Sequence, residues 1–154
     1  MEKVQFLQAG DAAPAFSLPD QHGNIVSSAQ LKGQRYILFF YPNDLTPTCT
    51  KEACNLRDNY EKLIKAGYAV FGISHAPMES KKKFADKWKL PYQLLADSGC
   101  AVARKFGVYG QKLFMGRTIL SIHRVTFVVN EKGRIERVIH PVRSTEAAAQ
   151  ILEG

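Results

Sequence analysis

Cysteine is scarce in this chain, with three residues in 154, at positions 49, 54 and 100. So few, and an odd number, exclude a disulfide scaffold. No run approaches the roughly 18 consecutive apolar residues of a membrane-crossing helix. The opening stretch, MEKVQFLQAGDAAPAF, lacks the long apolar core that follows the charged start of a secretory signal. A cytoplasmic setting is therefore expected, where a cysteine pair is more often catalytic or metal-binding than structural. Internal repeats and low-complexity runs are missing too. Acidic residues number 14 against 21 Lys and Arg, a formal charge of +7. That surplus attracts acidic partners. No recognition motif for nucleic acid accompanies it, so neither nucleic acid nor membrane is expected as a partner.

Hydrophobic residues make up 45% and charged residues 23%. This is enough apolar material for a core in one domain over residues 1–154. The densest basic run is KKKFADKWK, Lys81 to Lys89. Phe84 and Trp88 stand four apart, which predicts an amphipathic helix with a solvated lysine face.

Along the chain, PAFSLPDQHGNIVSS predicts two short strands joined through a His22-Gly23-Asn24 turn. RYILFFY, Arg35 to Tyr41, is a continuous apolar run and predicts a central strand buried on both faces. Residues 47 to 66 have helical spacing and end at Gly67. YAVFGIS predicts a second buried strand, 78 to 88 a helix, YQLLAD a short strand and 99 to 106 a helix. RVTFVVN and RIERVIH are strands joined at Glu131-Lys132-Gly133, and an alanine-rich helix closes the chain from Thr145 to Leu152. Strand–helix alternation followed by a hairpin predicts a three-layer α/β domain with a mixed sheet.

The stretch YPNDLTPTCTKEAC carries the chemistry. Thr46 suits an N-cap and Pro47 the first helical position, which puts Cys49 at the third. The N–H groups of a first turn and the positive end of the helix dipole favour a thiolate there. The carboxyl edge of an open α/β sheet is also where ligands bind. A buried packing cysteine is the plain alternative. C-x4-C with one further cysteine and four scattered histidines (His22, His75, His123, His140) matches no zinc spacing. The spacing also excludes a C-x-x-C dithiol.

Pro42, Thr46 and Cys49 form P-x-x-x-T-x-x-C, which resembles the active-site motif of peroxiredoxins. CTKEACNLRD, Cys49 to Asp58, resembles their bacterioferritin comigratory protein, or PrxQ, branch. The resemblance continues through AGDAAPAFSLPDQHG, FGVYGQKLFMGR and IHRVTFVVNEKGRIE, and so covers almost the whole chain. It implies a thioredoxin-like fold with an N-terminal β-hairpin, an AhpC/TSA-type domain, and thiol-dependent reduction of hydrogen peroxide and organic hydroperoxides. By this resemblance Cys49 is the peroxidatic nucleophile that becomes a sulfenic acid. Thr46 aligns thiolate and peroxide, Pro42 closes the pocket, and Arg124 faces the sulfur. Glu52 supports Arg124; otherwise it is a solvent-facing glutamate of the first turn. Arg57 either joins this network or pairs with a surface acid. Cys54 resolves the sulfenic acid. Thr48 departs from the glycine common in this branch, which changes pocket shape and keeps the backbone N–H. Neither cofactor nor metal is implied. A monomer recycled by thioredoxin, or by glutaredoxin, is expected.

A Cys49–Cys54 disulfide cannot form within a regular helix. Five residues give about 7.5 Å of rise and 140° of turn, so the Cα atoms stand about 8.6 Å apart, beyond the roughly 7 Å limit for a disulfide. The reduced protein should therefore hold two free thiols on a helix whose first turn opens on oxidation. Cys100, in ADSGCAVARKFG, is expected to be a packing residue rather than a second resolving thiol. The alternative to an enzyme is a non-enzymatic redox sensor or chaperone-like binding protein on the same fold.

Overall fold

The computed structural model describes residues 4–153, apart from the side chain of Phe114. Ser17–Pro19 (β1) and Ile25–Ser27 (β2) pair antiparallel, as the sequence predicts. The Asp20 carboxylate holds the turn between them, accepting the N–H groups of His22 at 2.8 Å and Asn24 at 2.9 Å. Next come Arg35–Phe40 (β3), Pro47–Asp58 (α1), Tyr60–Lys65 (α2) and Tyr68–Ser74 (β4). Met78–Trp88 (α3), Gln93–Ala96 (β5) and Ala101–Lys105 (α4) follow. The chain continues with Tyr109–Phe114 (β6), Arg117–Ile122 (β7), Val125–Val129 (β8), Ile135–Ile139 (β9) and Ala147–Leu152 (α5).

The central sheet runs β5-β4-β3-β8-β9. β3 pairs parallel with β4 and antiparallel with β8, so the sheet is mixed. After Arg35, β3 is apolar or aromatic because both of its faces are covered. Ile37, Phe39 and Tyr41 pack with Leu56 of α1, Leu63 of α2, Phe84 of α3 and Ile151 of α5. Tyr36, Leu38 and Phe40 pack with Val102 of α4, with Phe106, and with Phe16 and Val26 beside the first hairpin. Each such large apolar side chain contributes about 1.5–3 kcal/mol on leaving water. Gly72 of β4 is demanded by this packing, since a Cβ there would sit 2.6 Å from the Phe39 ring. The three layers, mixed sheet and leading hairpin make a thioredoxin-like fold. No helix among the described residues is long and apolar enough to cross a membrane.

Three expectations need correction. The helix over 47 to 66 is broken at Asn59, whose φ is −111°. The Asn59 side chain donates to Asn55 O at 2.9 Å, a local bond that competes with the helical ladder. The helix over 99 to 106 is shortened to α4, because Gly99 and Cys100 both take positive φ, 79° and 60°. The lysine face of α3 is not wholly solvated: Lys81 is buried, while Phe84 is buried as expected.

One element was not anticipated. β6 and β7 form a hairpin separate from the central sheet, with Phe114 paired to Arg117 across a two-residue turn. Met115 and Gly116 of that turn have φ of 50° and 78°. Such a turn suits the twist of a two-stranded ribbon. Methionine in place of the usual Asn or Asp hid it in the sequence.

Candidate active site

β3 delivers the chain to the carboxyl edge of the sheet, and residues 41–46 turn it into α1. Thr46 has the extended backbone of an N-cap (φ −79°, ψ 153°), and Pro47 is the first helical residue. The Thr46 side chain makes no capping bond, so its hydroxyl is not engaged with the helix. The first helical bond runs from Thr50 N to Thr46 O at 2.8 Å. Thr48 and Cys49 therefore present N–H groups without partners in the helix. Cys49 falls where the sequence predicts, 2% exposed.

Arg124 immediately precedes β8. The pairing of Val125 with Phe40 sets it beyond the end of β3, level with the turn. Its guanidinium makes two contacts. Nη2 donates to Cys49 Sγ at 3.1 Å, and Nη1 donates to Glu52 Oε1 at 2.6 Å. Glu52 lies in the second turn of α1 rather than the first, and is fully buried. That removes the solvent-facing alternative. Arg57 stands outside this network: it pairs with Asp58 and donates to Trp88 O at 2.7 Å. Pro42, Thr46, Thr48 and Arg124 line a cavity of about 510 Å³, shared with Lys112 and Ile119 of the β6–β7 hairpin. Lys112 was not foreseen, because its hairpin was not. Burial and the nearby Arg124 push its ammonium pKa down, against the pull of Cys49. A second cleft of about 390 Å³, lined by Tyr36 and Lys132 among others, brings no thiol with it.

The second half of α1 is tied down at three places. Tyr92 Oη donates to Ala53 O at 2.6 Å. Asn55 donates to Thr145 O at 2.8 Å and accepts from Ala148 N at 2.9 Å. Arg57 makes the third tie, to Trp88. Cys54 sits among these ties, half-buried, and burial pushes its thiol pKa up. All three cysteines are free thiols.

Burial pushes the Glu52 carboxyl up to about 7, and Arg124 only partly offsets it. A raised acid pKa means that the folded state holds the proton more tightly than the unfolded one. The associated stability is complete below about 4.5 and is lost as pH rises through about 7. Glu52→Gln keeps an oxygen for Arg124 and removes this slope. Between pH 5 and 8 the wild type should lose on the order of 3 kcal/mol more than Glu52→Gln, read by urea midpoints. Parallel curves for the two proteins would contradict the assignment.

Cys100 lies in the core with Val102, Phe106 and Phe71, and burial pushes its thiol pKa up. Cys100→Ser should keep turnover within about twofold of wild type, at a modest cost in melting temperature. Collapse of recycling in that variant, with Cys54 intact, would make Cys100 a resolving thiol. Among the described residues no cluster of His, Cys, Asp or Glu could hold a metal. The His123 ring nitrogen Nε2 is 2.9 Å from Gln111 O, and its backbone N–H donates to Val108 O at 2.7 Å.

Residues 9–138 match the family model described as the AhpC/TSA family. Over 139 residues the chain is 46% identical to the peroxiredoxin Bcp of Escherichia coli K12, covering 90% of this chain and 89% of that one. The solved structure of the peroxidoxin BcpB of Mycobacterium tuberculosis matches with a TM-score of 0.84 and 33% identity, covering 96% of this chain and 95% of that one. The bacterioferritin comigratory protein of Xanthomonas campestris matches with a TM-score of 0.86 and 26% identity, covering 94% and 95% respectively. These likenesses favour the peroxidase over a non-enzymatic sensor or binding protein. The chain belongs to the AhpC/TSA family, in its Bcp/PrxQ branch, and is a thiol-dependent peroxidase.

Proposed function

We propose that Cys49 is the peroxidatic residue, Cys54 resolves it, and Pro42, Thr46, Arg124 and Glu52 complete the site. The observation that carries this reading is the Arg124 fork, with one prong on the Cys49 sulfur and the other on buried Glu52. The guanidinium holds the sulfur by a hydrogen bond from its charged nitrogen, and Glu52 keeps it aimed. In the first step the thiolate attacks the terminal oxygen of a hydroperoxide. A sulfur–oxygen bond forms, the oxygen–oxygen bond breaks, and the pair of electrons leaves on an alkoxide or hydroxide that takes a proton from water. Sulfur is oxidised to sulfenic acid and the peroxide is reduced. Pro42, at the cavity wall, limits water. Thr46, its hydroxyl not engaged in capping, orients the peroxide.

In the second step the Cys54 thiol displaces water from the sulfenic acid and the disulfide forms. The first turn of α1 opens for this, since helix ends open more readily than their middles. A thioredoxin-type dithiol then reduces the exposed disulfide, with glutaredoxin as the alternative donor. Hydrogen peroxide and organic hydroperoxides are the substrates; the Xanthomonas campestris relative carries an alkyl peroxide reduction activity. We place this chemistry in the cytoplasm, in a monomer acting as one domain over residues 1–154.

Peptide mapping tests the pairing. After one equivalent of peroxide, Cys49 should be linked to Cys54, with Cys100 still alkylatable after unfolding. An intermolecular Cys49–Cys49 link would refute the resolving role. Absence of thiol-dependent peroxide consumption by the reduced protein would refute the site as a whole.

A further inference from the structure

Among the described residues one lysine is wholly buried: Lys81 of α3. The two steps above make no use of it. A buried ammonium is costly unless several groups hold it. Lys81 Nζ donates to Ser74 Oγ at 2.5 Å and to Tyr41 Oη at 3.2 Å, and stands 3.5 Å from Asp44 Oδ1. The Tyr41 ring centroid lies 5.1 Å from it. The Asp44 side chain is equally enclosed, 1% exposed. It accepts from Tyr41 Oη at 2.6 Å and from Ser80 Oγ at 2.7 Å.

These bonds converge on the 41–46 turn that carries Pro42 and Thr46. Leu45 in that turn has φ 63°, a left-handed conformation that a branched side chain avoids. The residue is 44% exposed, and it follows directly on Asp44, which is bonded from both the end of β3 and α3.

We propose that Lys81 is a positioning residue for the peroxidase reaction: with Asp44 it clamps the 41–46 turn closed, favouring attack by Cys49 and delaying the opening that Cys54 needs. The proposal rests on the cysteine roles given above. A clamp acts in opposite senses on the two steps. A closed turn keeps Pro42 and Thr46 around the reacting sulfur, whereas disulfide formation requires that turn to give way. The titratable groups facing Lys81 are Asp44 and Tyr41 of the turn, Asp97 at the end of β5 and Cys49 of α1. Burial brings the Lys81 ammonium down to about 8, against the pull of Asp44. The clamp therefore weakens as pH rises through about 8 and Lys81 loses its proton.

The test mixes reduced protein with hydrogen peroxide, quenches at millisecond intervals with an alkylating agent, and counts thiol, sulfenic acid and disulfide by mass. The variants are Lys81→Met, the charge-balanced Lys81→Met/Asp44→Asn, and Ser80→Ala, which removes one donor to Asp44 and leaves both charges. In the first two, peroxide attack should slow by about tenfold and disulfide formation should accelerate by about threefold or more. Ser80→Ala should move both rates the same way by less. If Lys81→Met fails to fold, the double variant and Ser80→Ala decide the matter. Raising the pH through 8 should speed disulfide formation in both proteins as the Cys54 thiol ionises, and by more in the wild type, where Lys81 also loses its proton. A purely structural role lowers the melting temperature but leaves both rates within about twofold of wild type well below it, and that result overturns the clamp. A parallel fall of both rates overturns it too. A wild type that consumes no peroxide would instead sink the cysteine roles themselves.

Discussion

Cys49→Ser should abolish thiol-dependent peroxide consumption, a loss of more than about a thousandfold, whereas Cys54→Ser should still consume one equivalent and then stall. The asymmetry follows from where each sulfur sits. Cys49 lies on the first turn of α1 with Arg124 Nη2 at 3.1 Å, and a serine hydroxyl there remains protonated and a far weaker nucleophile. Cys54 is half-buried in the anchored half of the helix, while the Arg124 guanidinium bonds Cys49 and Glu52. Its replacement leaves the first step untouched and strands the sulfenic acid. Turnover with a dithiol reductant should then fall by about a hundredfold, and excess peroxide should carry Cys49 on to sulfinic acid, seen as a mass gain of two oxygens. Wild-type turnover of Cys54→Ser with thioredoxin would show that the external dithiol attacks the sulfenic acid directly.

Arg124→Met should slow peroxide attack by about a hundred- to a thousandfold, the usual effect of removing one aimed donor from a reacting centre. The same change leaves Glu52 buried without its partner; its carboxyl, already up at about 7 beside Arg124, is driven further toward the protonated form, and the lost hydrogen bond should cost about 1–3 kcal/mol. The two effects separate in the double variant Arg124→Met/Glu52→Gln. Removing the ionisable carboxyl should restore melting temperature at pH 8 and none of the rate. Stopped-flow peroxide kinetics and thermal melts on the same samples decide the point. Recovery of the rate along with the stability would mean that Arg124 holds the fold and does not act on the sulfur.

Much of this site was readable because it is local. Pro42, Thr46 and Cys49 occupy one strand-to-helix turn; the physics of a helix start picks out Thr46 as the cap and Cys49 in the first turn, while the roles proposed for Pro42 and Thr46 came from family resemblance. The strands β3, β4 and β8 were equally legible, because burial on both faces selects apolar runs; β9 is only partly buried and was read from the turn that precedes it. Arg124 was reachable only through family resemblance: a chain with 21 Lys and Arg offers many cations, and register pairing across the sheet picks this one. Lys81 was misread for a related reason. Helical periodicity in KKKFADKWK shows which residues share a face with Phe84. It does not reveal that Ser74, Tyr41 and Asp44, distant in sequence, make a polar recess beneath that face. The β6–β7 hairpin escaped because its turn chemistry is atypical and β7 is largely exposed, so neither asparagine-glycine punctuation nor alternation marks it.

The three ties on the second half of α1 also bear on which thiol is likeliest to meet the oxidised sulfur by chance alone. With Ala53, Asn55 and Arg57 anchored, the segment that opens is a short tether leading from a fixed Cys54. Five flexible residues reach about 12 Å, so the Cys49 sulfur searches a small volume centred on its partner. Such a tether gives an effective concentration of at least the millimolar range. A second copy of the protein at micromolar concentration competes poorly with it, so under the proposed roles of Cys49 and Cys54 the oxidised molecule should close on itself before it meets a neighbour.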